Sequence, residues 1–373
     1  MSKETPEAYL AKNAKVLTLH APAGPRPFAP LDDTPAEIVE FLSAFEFCRA
    51  YEPISYAVEP FIRSGSLYTL TAKTGAGKTA LLIIMALAVV TGRGADVLGR
   101  EVTKGRVAFV AVENPDDLRM KLMVAAYLLN INFAEIAGDL IILDRRVSPE
   151  ALAAKLKELS AYGEFRLIMV DTLAAYFDGD NINDNVQAGN FMRRLRPMTQ
   201  LPGRPSVIVA AHPVKNAAPD NLIPYGGGAI LNEADGNLTL RRGDGGVTEL
   251  HWQGKIRGVE FEPAMFRFEL LTSPEVKDVK GREVQLPVLR PVSAADAAER
   301  EKVAVNKDVA LLKAMAADPS ASIDTWAAST RISATSVKRV LARLAMPGAG
   351  KLVTNALGKW AITPAGIKAI EGR

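Results

Sequence analysis

The sequence predicts an α/β protein with a mainly parallel sheet, C-terminal β-hairpins and a small winged-helix domain at its end. Three observations predict it. From Ser66 onward, short runs of Val, Ile and Leu alternate with helix-like stretches. After Gly236 the pattern changes to paired apolar segments separated by glycine-rich turns. Beyond residue 305 a basic, helix-patterned module runs to the end.

Residues 1–48 read as a tail or arm. The stretch APAGPRPFAPLDDTP is too rich in proline to pack, and 36–45 suits one short helix. The predicted strands are LYTLTA (67–72), RVAFVAVE (106–113), LIILD (140–144), RLIMVD (166–171) and SVIVAAH (206–212). Each is too short for a helix and apolar on both alternating faces, as strands covered on both sides of a parallel sheet are. Helical patterns at 80–90, 117–129 and 149–161 separate them, and this alternation points to a three-layer domain. NLTLRR and VTELHW then flank Gly-Asp-Gly-Gly, a hairpin signal, because glycine supplies the positive φ of a tight turn. FRFELL and VQLPVLRPV continue as antiparallel segments. The core domain is placed at 49–290, a linker at 291–305 with Ala and charge at 294–305, and the winged helix at 306–373.

A chain of 373 residues is about two domains long. Its 48% hydrophobic and 23% charged residues suit a folded core. Cys48 is the single cysteine, which excludes an intramolecular disulfide framework, and His20, His212 and His251 leave a His/Cys metal site short of ligands. The start MSKETPEAYL lacks a secretory pattern. The longest apolar stretch, 80–90, falls short of the roughly 20 residues that span a bilayer. The expectation is a soluble cytoplasmic protein with no membrane partner. The net charge of +3 hides an asymmetry: residues 301–373 hold 11 Lys+Arg against 5 Asp+Glu, a surplus of +6, and the rest carries −3. A basic module behind an acidic body suits a polyanionic partner.

Between the first predicted strand of the core and its helix lies Ala72-Lys73-Thr74-Gly75-Ala76-Gly77-Lys78-Thr79, followed by Ala80. This is a P-loop pattern with Ala72 in place of the usual first glycine. Gly75 and Gly77 let backbone N–H groups turn inward around phosphates, and the helix N-terminus adds partial positive charge. Lys78 is the cation for the β- and γ-phosphates, and the Thr79 hydroxyl suits Mg²⁺. The implied ligands are ATP and Mg²⁺. Asp171, ending an apolar strand, suits the Mg²⁺ shell, although an Asp after a strand also serves as a helix cap. Glu113 ends the strand after the P-loop helix, where a carboxylate either polarises the attacking water or caps the next helix. His212 ends a further strand and is placed to bond the γ-phosphate, or is a satisfied polar group.

Residues 50–275 resemble the RecA-fold hexameric ATPases, in particular the plasmid RepA-type and DnaB-type replicative helicases. DnaB-like P-loops also tend to open with Ala, as at Ala72. The resemblance implies Glu113 as the catalytic glutamate, Asp171 as the Walker-B aspartate and His212-Pro-Val-Lys215 as a sensor strand and its lysine. Lys255-Ile-Arg257-Gly258 is similar to the Lys-x-Arg-x-Gly element that enters a neighbouring subunit's nucleotide site, with its Gly one place early. A trans arginine there would neutralise charge on the γ-phosphoryl oxygens. One departure is Tyr225-Gly-Gly-Gly-Ala229, where RepA-like sequences place an Arg-Gly-Ser-type segment. The loops at 179–186 and 215–228, expected to face a central channel, carry little positive charge.

In the C-terminal module Ser333 is a good N-cap for a third helix through Leu344, after helices at 307–317 and 323–329. Val337, Leu341, Leu344 and Val340 are core, and 351–353 with 359–362 suits a wing over Trp360. Ser333, Thr335, Ser336 and Arg339 are candidates for base edges. Lys338, Arg343 and Lys359 are candidates for phosphates, alongside Lys215 of the core. The functional expectation is a ring-forming, ATP-hydrolysing DNA helicase or translocase, a homo-oligomer (hexameric, on the resemblance) taking single-stranded DNA through the core and double-stranded DNA on the winged helix. The alternative is an ATP-dependent DNA-binding switch or loader with little unwinding.

Overall fold

The computed structural model describes residues 41–371 except 219, 227, 244–245, 293, 347–349 and 357, and describes only the backbone at 294–304, 335 and 339. The chain divides into two units between Pro53 and Ile54, shortly after the boundary expected at 48. In the first unit the described residues form one helix, Ala44–Arg49, and the helix expected over 36–45 lies mostly outside the described residues. Ser43 sets its start through a capping box: its hydroxyl accepts from Glu46 N, and the Glu46 carboxylate accepts from Ser43 N at 2.9 Å. Residues 1–40 of the expected arm lie outside the described residues.

The second unit opens with a small hairpin of β1 (Tyr56–Val58) and β2 (Ile62–Arg63). Its centre is a sheet built from β3 (Leu67–Thr71), β4 (Arg106–Ala111), β5 (Leu140–Leu143), β6 (Phe165–Asp171), β7 (Ser206–Ala211), β8 (Gly236–Arg242), β9 (Val247–Ile256), β10 (Ala264–Leu271) and β11 (Leu286–Pro291). Their order is β11-β10-β9-β8-β3-β7-β6-β4-β5. The pairs from β8 through β5 are parallel, and β8–β9, β9–β10 and β10–β11 are antiparallel. This is a mixed α/β fold consistent with a RecA-like P-loop core, and all five predicted core strands are present.

Strand β6 shows why the sequence lacked polar alternation. Leu167 and Met169 face one core with the helix Lys78–Thr91, while Ile168 and Val170 face another with Leu152, Phe191 and Leu195. The helix Lys78–Thr91 is itself buried on nearly every side, as a central rather than a surface helix is.

An amide locks the parallel part to the antiparallel extension. Asn237 Oδ1 accepts from Thr69 Oγ1 at 2.9 Å and Thr71 Oγ1 at 2.7 Å. Its Nδ2 donates to Leu222 O at 2.9 Å and Gln253 O at 3.0 Å. Strand β3, strand β9 and the loop after β7 thus meet on one fully buried, fully satisfied side chain.

The C-terminal module contains helices Ala294–Ala317, Ile323–Thr330 and Ala334–Leu344, the hairpin of β12 (Val353–Ala356) and β13 (Lys359–Ile362), and a last helix, Pro364–Glu371. The segment read as a linker at 294–305 is helical and continuous with the helix expected at 307. Its Ala, Glu, Arg and Lys residues are the strongest helix formers. Leu311, Met315, Trp326, Val337, Leu341, Leu344 and Val353 make a separate core, with Val340 and Trp360 packed against it.

Removing the Asn237 amide strands two buried carbonyls. Asn237→Ala is expected to lower the unfolding free energy by about 2–4 kcal/mol, read as a shifted urea midpoint at constant m. A change below about 0.5 kcal/mol, the usual surface range, would show that the network is not structural.

Candidate functional site

The loop after β3 wraps back over the helix that starts at Lys78. Gly75 (φ +78°) and Gly77 (φ +100°) hold the left-handed conformations that turn the loop's amides inward, and nothing lies where a Cβ on Gly75 would stand. The buried Lys78 Nζ donates to Ala72 O at 3.0 Å and stands 3.5 Å from His212 Nδ1. Burial pushes its pKa below the ordinary lysine value, opposed by the nearby Asp171 and Glu113. A desolvated cation whose direct contacts are a carbonyl oxygen and a ring nitrogen is the electrostatic complement of an incoming anion.

Thr79 Oγ1 donates to Asp171 Oδ2 at 2.7 Å. Burial raises the Asp171 carboxyl above its usual range, the Thr79 bond pulls it down and Glu113 pushes it up. A hydroxyl and a carboxylate in contact fit Mg²⁺, a hard ion that takes one or two protein oxygens and fills its octahedron with phosphate and water. Thr79 and Asp171 are the residues that would hold it, and the ion would supply charge neutralisation at the phosphates. Glu113 follows β4, its N–H donating to Asp171 O at 3.3 Å, and its exposed carboxylate borders the same cleft. His212 follows β7 and lies beside Lys78. Its pKa is held below 6.5, first by burial and then by the Lys78 charge, with Glu113 opposing.

The structure therefore brings together Thr74, Gly75, Gly77, Lys78, Thr79, Ala80, Glu113, Asp171 and His212 around one cleft. Lys73 is exposed beside it. Ala76 is buried beneath the loop, its carbonyl 3.4 Å from Thr248 Oγ1.

Lys255 and Arg257 do not reach this cleft. Lys255 Nζ donates to Asn232 O at 2.6 Å, at the end of helix Gly228–Glu233. Arg257 pairs with Asp235 at 3.1 Å while keeping 63% of its side chain exposed. Asp235 also pairs with Arg196 at 3.0 Å and accepts from Leu67 N at 2.9 Å. Lys215 is exposed on the loop after β7. That loop is tied back by Tyr225 N donating to His212 O at 2.7 Å, and onward by Asn183 Nδ2 donating to Tyr225 Oη at 2.7 Å.

In the C-terminal module Ser333 caps its helix and bonds Ser336 Oγ at 2.9 Å, so both hydroxyls serve the helix start. Arg343 pairs with Asp308 across the module. Lys338 and Lys359 are exposed. The side chains of Thr335 and Arg339 lie outside the described residues.

Sequence reasoning missed several residues of the cleft. Asp117 and Lys121 line it from helix Pro115–Leu128, paired with each other. Their spacing of one helical turn was visible, but the face they present was not. Phe268 and Pro287 come from β10 and β11, and only strand order could place them beside a P-loop nearly two hundred residues earlier.

The low pKa of His212 has a signed consequence. Between the folded value and 6.5 the unfolded chain holds the extra proton, so stability falls as pH falls through that window. His212→Asn is expected to flatten the loss of Tm between about pH 7 and pH 5, relative to the unsubstituted chain. Identical slopes would show that folding does not lower the His212 pKa.

No curated protein matches the sequence. Residues 34–218 match a family described as an AAA domain. That segment contains the P-loop, Glu113, Asp171 and His212, and the match supports a P-loop ATPase.

Proposed function

We propose that the protein is a ring-forming ATPase of the RepA/DnaB-like type that acts on DNA as a helicase or translocase, in replication of a plasmid, phage or mobile element. The observation that carries the reading is the convergence of Lys78, Thr79, Asp171, Glu113 and His212 at the C-terminal edge of four adjacent parallel strands, where ligands of open α/β sheets bind.

Lys78 and the loop amides hold the β- and γ-phosphates, and Thr79 with Asp171 holds Mg²⁺. Glu113 accepts a proton from water as its oxygen attacks the γ-phosphorus. The bond between that phosphorus and the bridging oxygen breaks, leaving ADP and inorganic phosphate. His212 contacts the γ-phosphate and reports its loss through Tyr225 to the loop carrying Lys215. Lys255 and Arg257 act on the nucleotide of a neighbouring copy. Their position away from their own cleft supports that direction, and such an arginine is worth about 10³–10⁵ in rate where it acts. Read as a winged helix, the C-terminal module binds duplex DNA through Lys338 and Lys359, with Arg343 divided between Asp308 and phosphate.

A second reading has a specific observation in its favour. The segment 179–186 carries Asp180 and Asp184 and no Lys or Arg, and 215–228 carries Lys215 against Asp220. Such loops grip a polyanion weakly, which suits a switch or loader in which ATP controls assembly and the C-terminal module selects the DNA site.

Steady-state ATP turnover at fixed salt, with and without single-stranded DNA, separates the two. The motor reading expects stimulation of about tenfold or more, and a turnover indifferent to single strands leaves the switch. Lys78→Ala is expected to reduce turnover by at least about a hundredfold in either case. Unchanged turnover in that variant would overturn the mechanism.

A further inference from the structure

We propose that the β10–β11 strand pair is the seat of the nucleotide's base, with Phe268 and Pro287 as its apolar wall and Arg242 fixing the Phe268 ring. The inference rests on the ATPase reading above and names the part of the ligand which that reading leaves unplaced.

Register puts the wall together. Phe268 lies opposite Leu289 and Leu270 opposite Pro287. Directly opposed residues of an antiparallel pair, and those two apart along one strand, share a face. That face turns to the P-loop. A Cβ added to Gly77 would stand 3.3 Å from the Phe268 ring and 3.5 Å from Leu289. Arg242, at the end of β8, stacks on Phe268 with its guanidinium carbon 3.9 Å from the ring centroid and its Nη1 3.5 Å from Gly75 O. Arg242 thus covers one face of the ring, and the phosphate-binding loop approaches it at Cδ2 and Cε2.

The cleft is polarised as a nucleotide is. Lys78, Thr79, Asp171, Glu113 and His212 crowd one region, linked by the bonds given above. Phe268 and Pro287 bring apolar surface to the same cleft from the antiparallel strands, with Leu118 from helix Pro115–Leu128. Leu270, beside them on the strand pair, leaves 54% of its surface exposed. Phosphates have no use for such a wall, whereas a flat heteroaromatic ring gains from covering it and from stacking on Phe268. The ligand class is a purine nucleoside triphosphate, whose two-ring base covers more of the wall than a pyrimidine.

The test is equilibrium binding of ATP, CTP and inorganic tripolyphosphate to the unsubstituted chain and to Phe268→Ala, each confirmed folded by its cooperative unfolding. Phe268→Ala is expected to weaken ATP about 5- to 50-fold, the range of one lost base–aromatic stack. Its affinity for tripolyphosphate, which has no base, should stay within about twofold, and its preference for ATP over CTP should shrink. Phe268→Tyr should restore ATP binding, and Arg242→Ala should weaken it by a smaller factor. Should Phe268→Ala fail to fold, Phe268→Leu and Pro287→Ala carry the same comparison. Equal loss for ATP and tripolyphosphate, or no loss for either, overturns the base seat while leaving the P-loop reading intact. An unsubstituted chain that binds neither, or a Lys78→Ala variant that binds both undiminished, overturns the ATPase reading itself.

Discussion

Burial of the central strands on both faces is the constraint from which the site follows. Every residue of β3, β4 and β7 is buried, so no polar side chain can leave these strands sideways without losing its water. Within these strands charge appears only at an end, as Arg106 does at the start of β4. Because β3, β7, β6 and β4 are neighbours and parallel, their stops share one edge. The residues that follow them — the P-loop, His212, Asp171 and Glu113 — are brought together by strand order rather than by closeness in sequence.

The parts of this fold that could be read beforehand are those with local causes. A β-prone run, Leu-Tyr-Thr-Leu-Thr, followed three residues on by Gly-x-Gly-Lys-Thr, declares a strand, a phosphate loop and a helix start within one short window. The same holds for Ser333 as a cap and for Val337, Leu341 and Leu344 as a helical stripe. The helix 294–317 was misjudged in extent because Ala and charge read equally well as a solvated linker or as a strong helix former, and nothing local decides between them. Phe268, Pro287 and Arg242 were invisible as site residues for a different reason. Arg242 ends β8 beside β3, but Phe268 is placed by two successive antiparallel pairings and Pro287 by a third. A one-residue slip in the first two would have turned Phe268 away, and a slip in the third would have turned Pro287 away.

The cleft is also arranged around charges that await partners. Lys78 is desolvated with two neutral contacts, and Asp171 is desolvated with a hydroxyl. Each also feels the other's charge, and desolvation plus a specific charge partner in a cleft is the pattern of a functional-site candidate. Lys121 and Asp117, by contrast, satisfy each other on the cleft wall. The two arrangements lie side by side: one pair is joined by a direct ion pair, and the other two charges meet their neighbours through neutral groups.

Asp235 gives the molecule an unusual accounting of anions. One nearly buried carboxylate serves the first amide of β3, Arg196 behind helix Asn185–Leu195, and Arg257 at the end of β9. Two guanidiniums share a single carboxylate, and the Lys255 ammonium lies close enough to feel all three. Arg257 is therefore loosely owned: an external anion can take it without orphaning Asp235, which keeps Arg196. The strand that feeds the phosphate loop begins at the same carboxylate, so the corner can lend its outer arginine while the strand stays anchored.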